Sequence, residues 1–224
     1  MARDLGPYTM AGFGDSITQG AGASRPEYGW LAVLESRMRP FLNRPLNVIN
    51  ASVGDNTISP RTTNYKEASH PSALERLSKD VLSRKPDLVL VCYGLNDMRF
   101  GTPADVFAED LGEILAQLRN ALPSGQFLLT NVFHMTGWDR YEPRNKGSRD
   151  LTRAYNQAID RVAVRHHAML ADVWSAMGER DFLIAPDGVH ANDLGHAVIA
   201  GRVFETLVKG LPVFRGNVVN QARP

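Results

Sequence analysis

The segment Asp87-Leu-Val-Leu-Val-Cys-Tyr93 constrains the fold of this chain most. After Asp87 it is apolar at every position, with no alternation between faces. Such a run suits a strand covered on both sides, as in a parallel sheet, rather than a half-exposed antiparallel one. Parallel neighbours need crossover connections, and helix patterns stand between the other strand candidates. Tyr8–Gly14 reads as a strand and Trp30–Met38 as the helix that follows. Leu46–Asn50 reads as a second strand. Ser72–Arg84 is helical in pattern, with Leu74, Leu77, Val81 and Leu82 on one face. Thr102-Pro103 opens the next helix, with threonine as cap and proline at the first helical position. Its stripe is Phe107, Leu111, Ile114, Leu115 and Leu118. Gln126–Phe133 is a fourth strand, Ser148–His167 a helix and Ala168–Val173 a short fifth strand. Asn192 caps a last helix that buries Val198, Ile199, Val203, Phe204 and Leu207. This alternation predicts an α/β fold with a parallel sheet between helices.

The chain has 224 residues, 43% of them apolar and 22% charged, which suits one globular α/β domain over 1–224. With 25 basic and 24 acidic residues there is no basic face for nucleic acid, and no such partner is expected. No apolar run reaches the roughly 18 residues of a membrane span. The N-terminus lacks the apolar stretch of a signal peptide, so a cytoplasmic location and no membrane partner are expected. Asn50-Ala51-Ser52 is accordingly read as a chance sequon. The single cysteine, Cys92, permits no intrachain disulfide and reads as a buried, inert thiol.

Ligands of doubly wound sheets bind beyond the carboxyl ends of the strands. Three polar clusters fall there. Gly14-Asp15-Ser16-Ile17-Thr18 follows the first strand. It presents a serine hydroxyl at a helix start, among backbone N–H groups free to hold an anion. Helix capping by Ser16 is the plainer alternative. Gly54 follows the second strand, where a missing Cβ lets the backbone approach a ligand; a simple turn glycine would look the same. Asn96 follows the third strand. Its side-chain amide can donate to a tetrahedral oxyanion, or close an Asx-turn. Asp97 reads as structural, bonded to local backbone.

A fourth cluster, Asp187-Gly-Val-His190, lies near the C-terminus. Three residues of separation let the carboxylate reach the Nδ1–H of His190 and leave Nε2 facing a nucleophile. No third ligand at a convincing spacing makes this pair a metal site, and no metal is expected. His196 reads as packed or solvent-facing. No Gly-x-x-x-x-Gly-Lys or Gly-x-Gly-x-x-Gly loop is present for a nucleotide or phosphate, and no cofactor is expected.

Taken together and in this order, the four clusters resemble the SGNH hydrolases, also called GDSL esterases and lipases. Ser16, Gly54, Asn96 and His190 match the four name-giving positions, and Asp187 matches the acid three before the histidine. The resemblance runs from about residue 10 to about residue 205. Ile17 stands where many members have leucine. It implies a three-layer α/β/α sandwich around a five-stranded parallel sheet, flavodoxin-like in outline. It also implies Ser16, Asp187 and His190 as catalytic residues. The oxyanion hole would be the Ser16 N–H, the Gly54 N–H and the Asn96 side chain. The reaction expected is hydrolysis of a small carboxylic ester, short-chain or acetyl, such as an acetylated carbohydrate. Thioesterase, lysophospholipase or acyltransferase activity is the nearest alternative. A non-catalytic carbohydrate- or acyl-binding relative is the other, and the filled reactive positions argue against it. Three segments are expected to shape the pocket: Gly20–Tyr28, Asn56–Pro71 and His134–Gly147. Oligomeric state is not legible.

Overall fold

A computed structural model describes residues 6–211 and 213–214. Five strands, β1 (Tyr8–Gly14), β2 (Leu46–Asn50), β3 (Leu88–Cys92), β4 (Gln126–Thr130) and β5 (Met169–Ala171), form one sheet. All pairings are parallel, in the order β2-β1-β3-β4-β5. Met10 pairs with Val48 on one side of β1 and with Leu88 on the other. All of β3 is buried, as its unbroken apolar run predicts. Each fully buried leucine or valine there contributes about 1.5–3 kcal/mol.

The longer helices are α2 (Trp30–Met38), α3 (Ala73–Asp80), α5 (Ala104–Ala121), α6 (Arg149–Arg165) and α8 (Asp193–Gly210). Helix α2 packs on α8, while α5 packs on α3 and α6. These are the two outer layers of the sandwich. The predicted stripe of α5 is buried throughout, as are Tyr155, Ile159 and Val162 of α6, and Phe107 stacks on Tyr155 with ring centroids 4.8 Å apart. Three short helices also stand at strand ends: α1 (Ser16–Gln19), α4 (Leu95–Phe100) and α7 (Val173–Met177).

Several boundaries differ from expectation. The helix read as Ser72–Arg84 stops at Asp80 and continues as a 3₁₀ turn, Leu82–Arg84. Its start is a capping box, in which the Ser72 N–H donates to the Glu75 carboxylate at 2.8 Å. Thr102 does not cap α5. Pro103 occupies that position, and the Thr102 hydroxyl accepts from the Thr63 N–H at 3.0 Å. Strands β4 and β5 are shorter than read: β5 gives way at once to α7, whose cap Asp172 also accepts from the Asn131 side chain at 2.7 Å. Cys92 is buried as predicted, and burial pushes its thiol up to about 12.

The chain reverses its direction of progress across the sheet between β1 and β3. The crossovers on either side leave opposite faces there, opening a crevice at the carboxyl ends of these strands. Gly14 ends β1 at this point. A Cβ on it would lie 2.3 Å from the Thr18 hydroxyl and 2.8 Å from the Cys92 carbonyl. Only glycine lets β1 turn so tightly into α1.

A buried arginine ties the strand ends together. Arg76, on α3, donates to the Gly14 carbonyl at 3.1 Å and the Ala51 carbonyl at 2.6 Å. It also donates to Asn56 Oδ1 at 3.0 Å, the Tyr93 hydroxyl at 2.5 Å and Asp80 at 3.0 Å. Its guanidinium lies over the Phe13 ring, 4.5 Å from the centroid. The residues just beyond β1, β2 and β3 are thus held by one side chain that is only 3% exposed.

Candidate active site

Asp15, not Ser16, caps α1: its carboxylate accepts from the Ile17 N–H at 3.0 Å. Ser16 is therefore the first helical residue, with its hydroxyl free of any capping duty. Its Oγ lies 3.0 Å from His190 Nε2. His190 Nδ1 lies 2.5 Å from Asp187 Oδ2, the geometry of an N–H donated to a carboxylate. The other Asp187 oxygen accepts from the N–H groups of Val189 at 2.8 Å and His190 at 3.0 Å. Burial pushes the Asp187 carboxyl up, but the His190 ring and these two N–H groups outweigh it, so it stays below the usual carboxylate range. An ionised Asp187 fixes the His190 tautomer, leaving the lone pair of Nε2 toward Ser16.

The loop carrying Asp187 and His190 is held on two sides. The Gly188 carbonyl accepts from the N–H groups of Thr136 at 2.9 Å and Gly137 at 2.7 Å. Gly22 lies against the other side, at φ +92°, where a Cβ would come 2.7 Å from His190 Cβ and 2.2 Å from the Ala191 carbonyl. His196 is fully buried. It accepts from the Trp30 N–H at 3.3 Å and donates to the Ala21 carbonyl at 3.0 Å. Burial holds its pKa below the ordinary value, so it packs as a neutral ring.

Ser16, Gly54, Asn96, Asp187 and His190 line one cleft of about 470 Å³. The N–H groups of Ser16 and Gly54 have no acceptor among the described residues. Asn96 is on α4, with its Nδ2 donating to the Asn56 carbonyl at 3.0 Å. Its contact to Asp15 Oδ2, at 3.5 Å, is too long to tie down the other hydrogen. Three donors thus stand on the cleft without a firm claim on them, and Asn96 does not close an Asx-turn. Arg76 holds the Asn56 side chain, so it braces Asn96 at one remove.

The reading of Asp97 needs correction. Its carboxylate bonds across 39 and 35 residues, accepting from the Ile58 N–H at 3.0 Å and the Thr62 hydroxyl at 2.7 Å. It pins the 56–71 segment onto α4. Burial raises it to about 6, and raises Asp15 to about 7. The sign of the pH effect follows. The unfolded carboxyl ionises near pH 4 while the folded one holds its proton to about 6, so the contribution of Asp97 falls as pH rises through that window. Asp97→Asn cannot titrate. Its stability relative to wild type should therefore improve from pH 4 to pH 6 and then level off, as read by denaturant unfolding. A constant difference across that range would place the titration elsewhere.

The loops contribute unequally. Ala21, Tyr141 and Arg144 line the cleft, with Asp55 and Arg99. Arg61, Asn64 and Tyr65 do not: Arg61 pairs with Glu109 and Asp110, and Tyr65 with Glu75. Trp138 is turned away, its ring N–H donating to Thr152 at 3.0 Å. Arg144 makes a two-pronged pair with Asp55, one bond at 2.5 Å, and also donates to the Glu67 carbonyl at 3.1 Å. Sequence reasoning missed Arg76, Asn56, Arg99 and the Arg144–Asp55 pair. Only Arg76 had a signal, since it shares helical spacing with Ala73, Leu77 and Asp80 on the buried side.

The doubly wound five-stranded parallel sheet is that of an SGNH hydrolase. A family model of the GDSL-like lipase/acylhydrolase family matches residues 13–198, and the chain belongs to that family. An acetylxylan esterase of Geobacillus stearothermophilus is 23% identical over 205 residues, 84% of this chain and 88% of the relative. TesA superposes with a TM-score of 0.71 at 22% identity, covering 92% of this chain and 99% of its own. The psychrotrophic esterase EstA of Pseudoalteromonas sp., solved inhibited by monoethylphosphonate, gives a TM-score of 0.69 at 19% identity, over 91% and 98%. The chain is thus a GDSL-family esterase or acylhydrolase in the general sense. Among the described residues, no helix is long and apolar enough to cross a membrane.

Proposed function

We propose that this chain is a serine esterase that hydrolyses short-chain, above all acetyl, esters through an acyl-Ser16 intermediate. The observation that carries this reading is the Ser16–His190–Asp187 series, at 3.0 and 2.5 Å, opening beside the N–H groups of Ser16 and Gly54. His190 Nε2 takes the Ser16 proton as Oγ attacks the ester carbonyl. The carbonyl oxygen becomes an alkoxide held by the Ser16 and Gly54 N–H groups and the Asn96 amide. Collapse expels the alcohol, which receives the proton from His190. Water then adds to the acyl-enzyme, gives a proton to His190 and releases the acid as Ser16 regains its hydrogen. Asp187 stabilises the imidazolium in both halves.

The cleft supports a small ester. Arg99 and Arg144 are among the residues that line its volume of about 470 Å³. The similarity to an acetylxylan esterase supports acetyl as the acyl group and a carbohydrate as the alcohol. The test is turnover of 4-nitrophenyl acetate, butyrate and octanoate, with acetate expected fastest. Asn96→Ala should lower kcat on acetate about 10²–10³-fold, the usual effect of one lost oxyanion donor, with KM little changed. Full activity in that variant would remove Asn96 from the oxyanion site. Fastest turnover of octanoate would reject the short-chain reading.

A further inference from the structure

Arg99 stands three residues after Asn96 on α4, so the two side chains share one helix face and one cleft. A guanidinium offers five N–H donors and is always charged, so a buried one normally meets a carboxylate. Arg99 is 3% exposed, yet has no carboxylate within ion-pair distance among the described residues. One acceptor is supplied to it, the Arg140 carbonyl at 2.8 Å from Nη2, and its Nε is buried with no partner. The two acids of the same cleft are engaged elsewhere: Asp55 with Arg144, and Asp187 with His190. Burial, and then the neighbouring Arg144, hold the Arg99 pKa below the ordinary value, against the opposing pull of Asp55 and Asp187.

The 134–147 segment keeps the side chain there. The Arg99 carbonyl accepts from the Lys146 N–H at 3.0 Å, and a Cβ on Gly147 would come 3.3 Å from Arg99 Cγ. A loop anchor alone would need no charge. Leucine or methionine would fill the space without an orphaned donor.

Resting on the esterase reading, we infer that Arg99 selects esters bearing a carboxylate on the alcohol or the acyl part. The substrate anion completes the ion pair that the protein leaves open. The class includes acetylated sugar acids and half-esters of dicarboxylic acids.

Two matched pairs test this. One is 4-acetoxybenzoate against methyl 4-acetoxybenzoate, with the charge on the alcohol. The other is 4-nitrophenyl hydrogen adipate against 4-nitrophenyl methyl adipate, with the charge on the acyl group. For each pair the ratio of kcat/KM, anionic over neutral, is normalised to the hydroxide-catalysed rates. In wild type one pair should favour the anion about 10- to 100-fold, the range of a hydrogen bond to a charged group. Arg99→Met should bring that ratio to about one, and Arg99→Lys should restore part of it. A merely structural Arg99 would slow both members of a pair equally and leave the ratio intact, which overturns the assignment. Wild type alone gives a second reading, since benzoate should inhibit more strongly than benzamide; the reverse order also overturns it. Turnover of neutral esters with no anionic preference in either pair rejects the Arg99 role and keeps the esterase. No turnover of any of the four, nor of 4-nitrophenyl acetate, rejects both.

Discussion

Ser16→Ala is expected to lower kcat on 4-nitrophenyl acetate by about 10⁶-fold, as loss of the nucleophile does in a comparable triad hydrolase. The reason is local. The Ser16 hydroxyl oxygen is placed 3.0 Å from His190 Nε2. Alanine leaves the imidazole and the oxyanion donors in place but removes the covalent step, so what remains is catalysis by binding and electrostatics. Asp15 caps α1, so alanine at position 16 costs no helix cap and the melting temperature should hold. A fluorophosphonate probe should label wild type at Ser16 and leave the variant unlabelled. Equal turnover in the two proteins would remove Ser16 from the mechanism.

Arg76→Met is expected to cost about 3–5 kcal/mol of stability, the usual effect of removing one partner from a buried charged network. Methionine fills much of the volume and supplies none of the donors. The carbonyls of Gly14 and Ala51, the Asn56 amide oxygen and the Tyr93 hydroxyl lose a donor at once. All of them are shielded from water, so none is compensated by solvent. At about 2–4 °C per kcal/mol for a chain of this size, the melting temperature should fall by about 6–20 °C. Activity at low temperature should fall as well, because Asn56 then loses one of its side-chain bonds and Asn96 hangs from the Asn56 carbonyl. A loss under about 1 kcal/mol in urea unfolding would mean that the strand ends are held without Arg76.

Arg76 and Ser16 also mark the boundary between what is legible in the chain and what is not. Hydrophobic periodicity is a local property, so the five strands and the long helices can be read from neighbouring residues. The chemistry of short blocks is local too. Asp187 and His190 are three residues apart, and their hydrogen bond follows from one tight loop. The serine, glycine and asparagine blocks each follow a strand, and a parallel sheet puts all such ends on one edge. In that sense the sequence by itself determined the α/β fold, the sheet edge on which the polar blocks gather and which residues meet there.

What it left open depends on contacts between distant residues. Asp97 was read as bonded to its neighbours, yet it bonds to Ile58 and Thr62 because α4 turns it toward the segment after β2. The spacing of Arg76 puts it on the buried side of α3, but its partners are set only when α3 docks below the ends of three strands. Arg99 and Arg144 are indistinguishable as letters. Only the folded cleft gives one of them Asp55 as a partner and leaves the other without a carboxylate. Strand order, which sets β1 beside β3 and opens the crevice there, is likewise absent from any local pattern. The tertiary structure decided how the cleft is braced and which of its charged groups are paired, because both arise from groups brought together across dozens of residues.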